Sequence, residues 1–120
     1  MDLFTQLGMQ AVSATTLNAV LTDSDELTVA YWWGTDCFNC EQFKRQASQQ
    51  LEALLALKLR WLQANVYDDA ELVRRFSLHG VPAFYFFRAG KKLGRITGWQ
   101  GLPYFCEVVA QLQLASTTPK

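Results

Sequence analysis

The sequence predicts a single α/β domain with a mixed central β-sheet flanked by helices on both faces. Three observations predict this class: apolar runs of strand length, segments of helical period between them, and a short turn joining the last two runs. Strands separated by helices favour parallel pairs, whereas a tight turn joins antiparallel neighbours. We therefore expect the order βαβαβ, a β-hairpin and a last helix within residues 1–114, followed by a flexible tail over residues 115–120.

The first half of the chain leads to a buried central strand. Residues 2–8 are expected to form a short helix with Asp2 as its cap and Gly8 as its stop, and residues 10–13 a weak strand. Thr15 or Thr16 then caps a helix that runs to residue 21. Residues 27–33 are almost continuously apolar and rich in β-formers, which is typical of a strand covered on both faces.

The second half begins with a long helix. After residue 40, apolar side chains recur about every fourth position as far as residue 55, which predicts one continuous amphipathic helix. Residues 59–66 follow as a strand, and Asp68 and Asp69 can cap a helix that ends at Phe76. The remaining predicted elements are strands over 83–87 and 92–97, a turn at 89–91 between them, and a helix starting near Pro103.

Charge and hydropathy exclude several classes of function. The chain has 11 basic and 11 acidic side chains, so no electrostatic footprint for nucleic acid or an anionic lipid surface is present. No apolar run reaches the roughly 18–20 residues that a membrane span needs. Residues 1–6 lack the basic and apolar regions of a secretory signal, which favours a cytoplasmic protein.

The cysteines point to redox chemistry. Three cysteines are too few, and odd in number, for a framework of structural disulfides. Cys37 and Cys40 form a C-x-x-C between the predicted central strand and the start of the long helix. The free N–H groups and partial positive charge of a helix N-terminus stabilise a thiolate, the reactive form of cysteine. We expect Cys37 to be the exposed, attacking thiol and Cys40, one turn later, to resolve the mixed disulfide.

The chain resembles the thioredoxin family over nearly its whole length. The resemblance rests on Trp33 four residues before the first cysteine, on the C-x-x-C and on the run His79-Gly80-Val81-Pro82, with Gly90 and Gly98 also matching. It implies the thioredoxin fold and protein disulfide oxidoreductase activity. It also implies a cis peptide bond at Pro82 beside the disulfide, and a Val81 backbone that offers its N–H and C=O to an extended client segment.

Six positions depart from the family's pattern, and one of them is Asp36, directly before the first cysteine, where thioredoxins usually carry Trp. Phe38 and Asn39 stand between the cysteines, where thioredoxins usually carry Gly-Pro. Tyr31 occupies the place of the buried aspartate that assists proton transfer to the second cysteine, and Gln63 the place of its lysine partner. The second cysteine therefore needs another route for its proton, such as water. The long helix also lacks the family's kinking proline, since Arg45 occupies that place.

The expected reaction is attack of Cys37 on a protein disulfide, followed by displacement of the reduced client by Cys40. Asp36 and Glu41 place negative charge beside Cys37 and oppose the helix terminus by raising the thiol pKa, so the hypothesis is a reductant or general exchanger rather than a strong oxidant. No flavin or nucleotide motif is present. We therefore expect no cofactor beyond the redox-active disulfide, an external reductase or thiol that restores the dithiol, and a monomer.

Five residues are predicted to contact the client. They are Val81, Pro82, Trp33, Phe38 and Trp99. Trp33 is expected to be partly core and partly a wall of the site. Exposed Phe38 and Trp99 side chains would line an apolar groove for client peptides, although packing is an equal alternative for Trp99.

Other readings remain open at this point. One is a non-enzymatic thioredoxin-fold adaptor or redox sensor, and another is metal or iron–sulfur binding by paired C-x-x-C motifs in a dimer. A zinc site within one chain is disfavoured, because no second Cys/His pair completes a tetrahedral set. His79 is expected on the loop surface, with approach to the site or metal binding as its alternative. Cys106 is expected to be a buried inert thiol, with a regulatory or intermolecular disulfide as its alternative.

Overall fold

Helices and strands alternate along the chain in a computed structural model that describes the backbone of residues 2–117 and the side chains of residues 2–114. The helices are α1 (Leu3–Gln6), α2 (Leu17–Thr22), α3 (Phe38–Gln49), α4 (Leu51–Ala56), α5 (Ala70–Phe76) and α6 (Leu102–Thr117). The strands are β1 (Gln10–Ala11), β2 (Thr28–Trp33), β3 (Arg60–Asn65), β4 (Ala83–Arg88) and β5 (Lys91–Thr97). A 3₁₀ turn over Val66–Asp68 joins β3 to α5.

The strands form one mixed sheet, as predicted, and their order in it is β1-β3-β2-β4-β5. β3 lies parallel to both β1 and β2, and β4 lies antiparallel to both β2 and β5. The expectation that helices separate parallel strands is therefore wrong for β4, which follows α5 but runs against its neighbour β2. A helical connection permits a parallel crossover but does not require one, and here the chain enters the sheet beyond β2 rather than beside β3.

The sheet is covered on both faces, because alternate residues of β2 point to opposite sides. Val29 and Tyr31 pack into one core with residues of α1, α3, α4 and α6. Ala30 and Trp32 pack into a second core with residues of α2 and α5. Burial on both faces explains why the sequence of this strand is almost continuously apolar.

The helix after the cysteines is broken, which corrects the prediction of one continuous helix. α3 ends at Gln49 and α4 begins at Leu51, with the intervening Gln50 at φ −122° and ψ 32°. The Gln50 N–H donates to the carbonyls of both Gln46 and Ala47, at 3.1 and 3.2 Å. This tightening ends the first helix without a proline. The apolar spacing could not reveal it, because Leu51 and Leu54 continue the same stripe on the second helix.

Two predicted helix boundaries need comment. Asp2 caps α1 as expected, since its Oδ1 accepts from the Thr5 N–H at 2.9 Å, whereas the Thr16 side chain makes no cap bond to α2. The Thr16 hydroxyl instead accepts from the Ser13 N–H and closes the preceding turn. The backbone of α6 continues to Thr117, three residues past the predicted end, and the rest of the predicted tail, 118–120, lies outside the described residues.

No helix within residues 2–117 is long and apolar enough to cross a bilayer.

Candidate active site

The two cysteines lie at the N-terminus of α3. Cys37 is the N-cap residue, with an extended backbone, and Cys40 lies in the first turn. Their α-carbons are 5.2 Å apart and their sulfurs are disulfide-bonded. The Cys40 N–H donates to the Sγ of Cys37 at 3.1 Å. Cys40 is 1% exposed, whereas Cys37 is half-buried, so Cys37 is the sulfur that a second molecule can approach.

The loop before β4 lies against this disulfide. The Val81–Pro82 peptide bond is cis, and the Val81 carbonyl oxygen is 3.5 Å from the Sγ of Cys37. Pro82 is buried and Val81 is half-buried. The tertiary structure thus brings together two motifs that are 44 residues apart in sequence. The cis bond and its place beside the disulfide match what the family resemblance implies for Pro82.

The charges around the disulfide are mixed. Asp36 and Glu41 are both exposed, and Glu41 pairs with Lys44 at 3.6 Å. The Lys44 ammonium also lies 5.2 Å from the ring centroids of Phe4 and Trp33. One of the two carboxylates predicted to act on Cys37 is therefore partly neutralised by a neighbour on its own helix.

At the two positions where the family resemblance implies a buried charged pair, this chain carries uncharged groups, Tyr31 and Gln63. Tyr31 is fully buried, and its hydroxyl has no hydrogen-bond partner among the described residues. Burial raises the pKa of Tyr31, so its hydroxyl stays protonated. The side-chain oxygen of Gln63 accepts from the indole N–H of Trp33 at 2.7 Å. Neither residue offers a base to Cys40 at neutral pH.

The three predicted aromatic contacts have different environments. Phe38 is 74% exposed beside the disulfide, and Trp33 is half-buried against Phe4, as expected. The exposure predicted for Trp99 is wrong, because its side chain is only 9% exposed. Its ring packs among the core aromatics Phe43, Phe84 and Phe105, and its indole N–H donates to Gln46 Oε1 at 2.8 Å. Packing, the alternative weighed for Trp99, is what the structure shows.

Tyr67 lies beside the cysteine loop, at a position that the sequence did not single out. Its side chain is 63% exposed, and its ring contacts Gly34, which precedes the cysteine loop. It borders a cleft of about 460 Å³ that Val81 shares. Other apolar residues lining this cleft are Val66, Ala70, Val73 and Leu78. An exposed tyrosine directly after a strand is the only signal that the sequence carries for this position.

Asn39 is the second missed residue. Its Oδ1 accepts from the Trp99 N–H at 2.9 Å, and its Nδ2 donates to Gln42 Oε1 at 3.0 Å. The sequence shows Asn39 only as half of the dipeptide between the cysteines. Its partner lies 60 residues away, so no local pattern could reveal the bond.

The exposure of His79 and of Cys106 can be compared with the prediction for each residue. His79 is exposed in the loop before Val81, as predicted. Cys106 is unpaired and half-buried rather than fully buried, and desolvation raises its pKa. Within the described part of the chain, no three His, Cys, Asp or Glu side chains lie close enough together to hold a metal ion.

Comparison with known proteins gives a consistent result. The model of the thioredoxin family matches residues 8–110. Thioredoxin f2 of Chlamydomonas reinhardtii superposes with a TM-score of 0.74 at 18% identity, covering 94% of this chain and 100% of that chain. Thioredoxin of Trypanosoma brucei brucei gives 0.72 at 19% identity, covering 89% and 91%. Thioredoxin of Fasciola hepatica gives 0.70 at 20% identity, covering 86% and 98%. A search of curated proteins found no significant match.

Proposed function

Because this chain belongs to the thioredoxin family and its C-x-x-C cysteines lie at disulfide distance, it is a thiol–disulfide oxidoreductase, and we propose that its substrates are disulfide bonds of other proteins. The observation that carries the proposal is the contact between the Sγ of Cys37 and the carbonyl of Val81. This contact places the reactive sulfur next to a backbone segment that has an N–H free to form a hydrogen bond. The Val81 N–H has no acceptor among the described residues, so it can donate to an extended client strand.

The proposed reaction has two exchange steps. The Cys37 thiolate attacks one client sulfur, the client S–S bond breaks, and the other client sulfur leaves as a thiolate. The thiolate of Cys40 then attacks the Cys37 sulfur, which forms the Cys37–Cys40 disulfide and releases the second client thiolate. The client gains two electrons, and the two thiol protons pass to its sulfurs through solvent. An external reductase or thiol returns two electrons to the cysteine pair.

The surface around Cys37 favours a polypeptide client over a small thiol. Phe38 presents a large exposed ring directly after Cys37, and Tyr67 borders an apolar cleft that Val81 also lines. Apolar clefts with a few backbone pairing groups are typical of sites that hold an extended peptide. Trp99 is left out of this surface because it is buried.

We propose that the protein is a monomer that acts in the cytoplasm, where it reduces or exchanges disulfides. Dedicated reducing systems keep thiols reduced in the cytoplasm. Such systems can return the oxidised cysteine pair to its dithiol form. Asp36 is exposed beside Cys37, and its negative charge disfavours the thiolate of the reduced pair. This favours the oxidised disulfide, so the reduced pair donates its electrons more readily. A redox titration of the Cys37–Cys40 couple checks the direction, and a potential near that of a dedicated oxidase would contradict it.

Reduction of insulin by the protein, with a small dithiol as the electron source, tests the function. The wild-type protein should accelerate precipitation of the reduced insulin chains, and Cys37→Ser should abolish the acceleration. Cys106→Ser is the matched control and should retain it. Cys40→Ser should accumulate a mixed disulfide with insulin, visible on a non-reducing gel. Equal slow rates for wild type and Cys37→Ser would favour the adaptor, and a visible absorption band of the purified protein would favour an iron–sulfur cluster.

A further inference from the structure

We propose that Asn39 is a positioning residue that sets the distance between Cys37 and the Val81–Pro82 loop. The role goes beyond the proposed function but rests on it, since protein clients are proposed to touch both parts. Among the described residues, the Asn39 side chain bonds to the Trp99 N–H and to the Gln42 side chain. It acts through the backbone corner formed by Gly98 and Trp99.

Two adjacent amides of this corner hold the two halves of the site. The Gly98 N–H donates to the carbonyl of Pro82 at 2.7 Å, and the Trp99 N–H donates to Asn39 Oδ1 at 2.9 Å. The contact between the Sγ of Cys37 and the Val81 carbonyl oxygen connects the proline loop back to the cysteines. A ring of short contacts therefore runs from the cysteine helix through the corner to the proline loop and back to the sulfur.

The corner formed by Gly98 and Trp99 is held firmly by its own contacts, so the first turn of α3 is positioned against a rigid segment. The Trp99 side chain is buried and bonded to Gln46 on α3. Gly98 has a φ of +76°, a conformation that favours glycine, and a Cβ there would lie 3.4 Å from Asn39 Oδ1. Bond and close approach together fix the first turn of α3 against a segment that the core already holds.

The consequence for the reaction follows from where Asn39 lies. It occupies the first turn of α3 between the two cysteines, and the next residue is Cys40, whose N–H contacts the Cys37 sulfur. Without the bond to Trp99, this turn can shift relative to Val81. A client would then pair less well with Val81 while its disulfide lies at Cys37, so the complex with the client is weaker and KM rises, whereas the chemistry at Cys37 itself is unchanged. A small disulfide that does not pair with Val81 would be unaffected.

Three variants separate positioning from general stability. Asn39→Ala removes the acceptor, Asn39→Asp keeps an oxygen of the same reach, and Gln42→Ala removes only the partner of Nδ2. We expect Asn39→Ala to raise KM for insulin about tenfold, the size of one lost positioning hydrogen bond, with a change in kcat below about twofold. Asn39→Asp should return KM to within about threefold of wild type, and Gln42→Ala should match wild type.

Two further measurements keep the test independent of the proposed function. The rate of reduced Asn39→Ala with a small aromatic disulfide should stay within about twofold of wild type, since Cys37 itself is intact. Hydrogen exchange of the Trp99 amide, followed by NMR, should be faster in Asn39→Ala and protected in Asn39→Asp. An unchanged insulin KM in Asn39→Ala, equal losses with insulin and the small disulfide, or no rescue by Asn39→Asp would overturn the proposal. If wild type fails to reduce insulin while Trp99 exchange still depends on Asn39, the client assignment is wrong and the structural tie stands.

Discussion

The ring of Tyr67 contacts Gly34 so closely that a Cβ at position 34 would lie 2.5 Å from its Cε2. A glycine before the cysteine loop thus makes room for an aromatic side chain that comes from the segment after β3. A second tie lies next to it, where the Asn65 side chain donates to the hydroxyl of Thr35 at 3.0 Å. The cysteine loop and the Tyr67 segment therefore form one surface.

Gly34→Ala should displace Tyr67 and weaken client binding with little loss of stability. The Tyr67 ring is largely exposed and can turn into solvent, so we expect the free energy of unfolding to fall by less than about 1 kcal/mol. KM for insulin should rise, and Tyr67→Ala should raise it to the same extent. Urea denaturation and insulin kinetics measure the two effects. The Gly34→Ala/Tyr67→Ala double variant is the control, and it should match Tyr67→Ala alone; a further loss in the double variant would contradict the steric explanation.

Phe38→Ala should impair reduction of protein clients without unfolding the protein. The side chain is exposed in the free protein, so its removal should change stability by less than about 0.5 kcal/mol. Loss of part of its apolar contact with a client corresponds to about 1 kcal/mol, or roughly a fivefold rise in KM for insulin. Leu55→Ala is the matched control, because Leu55 is also an exposed apolar residue but lies on α4. Equal effects of the two substitutions would remove Phe38 from the client surface.

Tyr31→Phe should stabilise the protein by about 1 kcal/mol, because the buried hydroxyl has no partner among the described residues and its desolvation is uncompensated. Insulin reduction should be unchanged, since the protonated hydroxyl is not expected to serve as a base for Cys40. Thermal or urea denaturation near pH 7 measures the first effect. A loss of stability would show that the hydroxyl is hydrogen-bonded, and a loss of turnover would assign it a part in proton transfer.

Stability should also fall at high pH in a way that depends on Tyr31. Burial raises the pKa of this hydroxyl above its ordinary value of 10.0. Above about pH 10 the unfolded chain releases this proton while the folded chain retains it, so stability is full below that pH and declines as the pH rises. Urea denaturation between about pH 9 and 11 should show a shallower decline for Tyr31→Phe than for wild type. Parallel curves would contradict the raised pKa.

Cys106 should react slowly with iodoacetamide at neutral pH. Desolvation raises the pKa of its thiol, which lowers the fraction of reactive thiolate. In the reduced protein, alkylation should therefore occur at Cys37 well before Cys106, and the rate at Cys106 should increase steeply with pH. Mass spectrometry of peptides from timed reactions provides the measurement. Rapid modification of Cys106, or a disulfide-linked dimer that Cys106→Ser abolishes, would support the regulatory alternative instead.

The parts of the site that could be predicted are those with local or strongly patterned signals. A buried strand followed by C-x-x-C and an amphipathic helix gives the place of Cys37 and Cys40, because helix termini and apolar periodicity are encoded within a few residues. The break at Gln50 was not predictable in this way, since the apolar stripe continues across it. For Trp99 the sequence leaves exposure and packing as equal alternatives, because its neighbours along the chain do not show that three core aromatics surround it.

The sequence by itself determined the fold class, the redox pair at a helix N-terminus and the exposed position of Phe38, because each depends on residues close together along the chain. The tertiary structure decided what surrounds that pair. It buried Trp99, placed Tyr67 on Gly34, and linked Asn39 to a corner 60 residues away. Such contacts depend on how helices and strands pack against one another, and packing is a property of the whole core that no short segment of the chain contains.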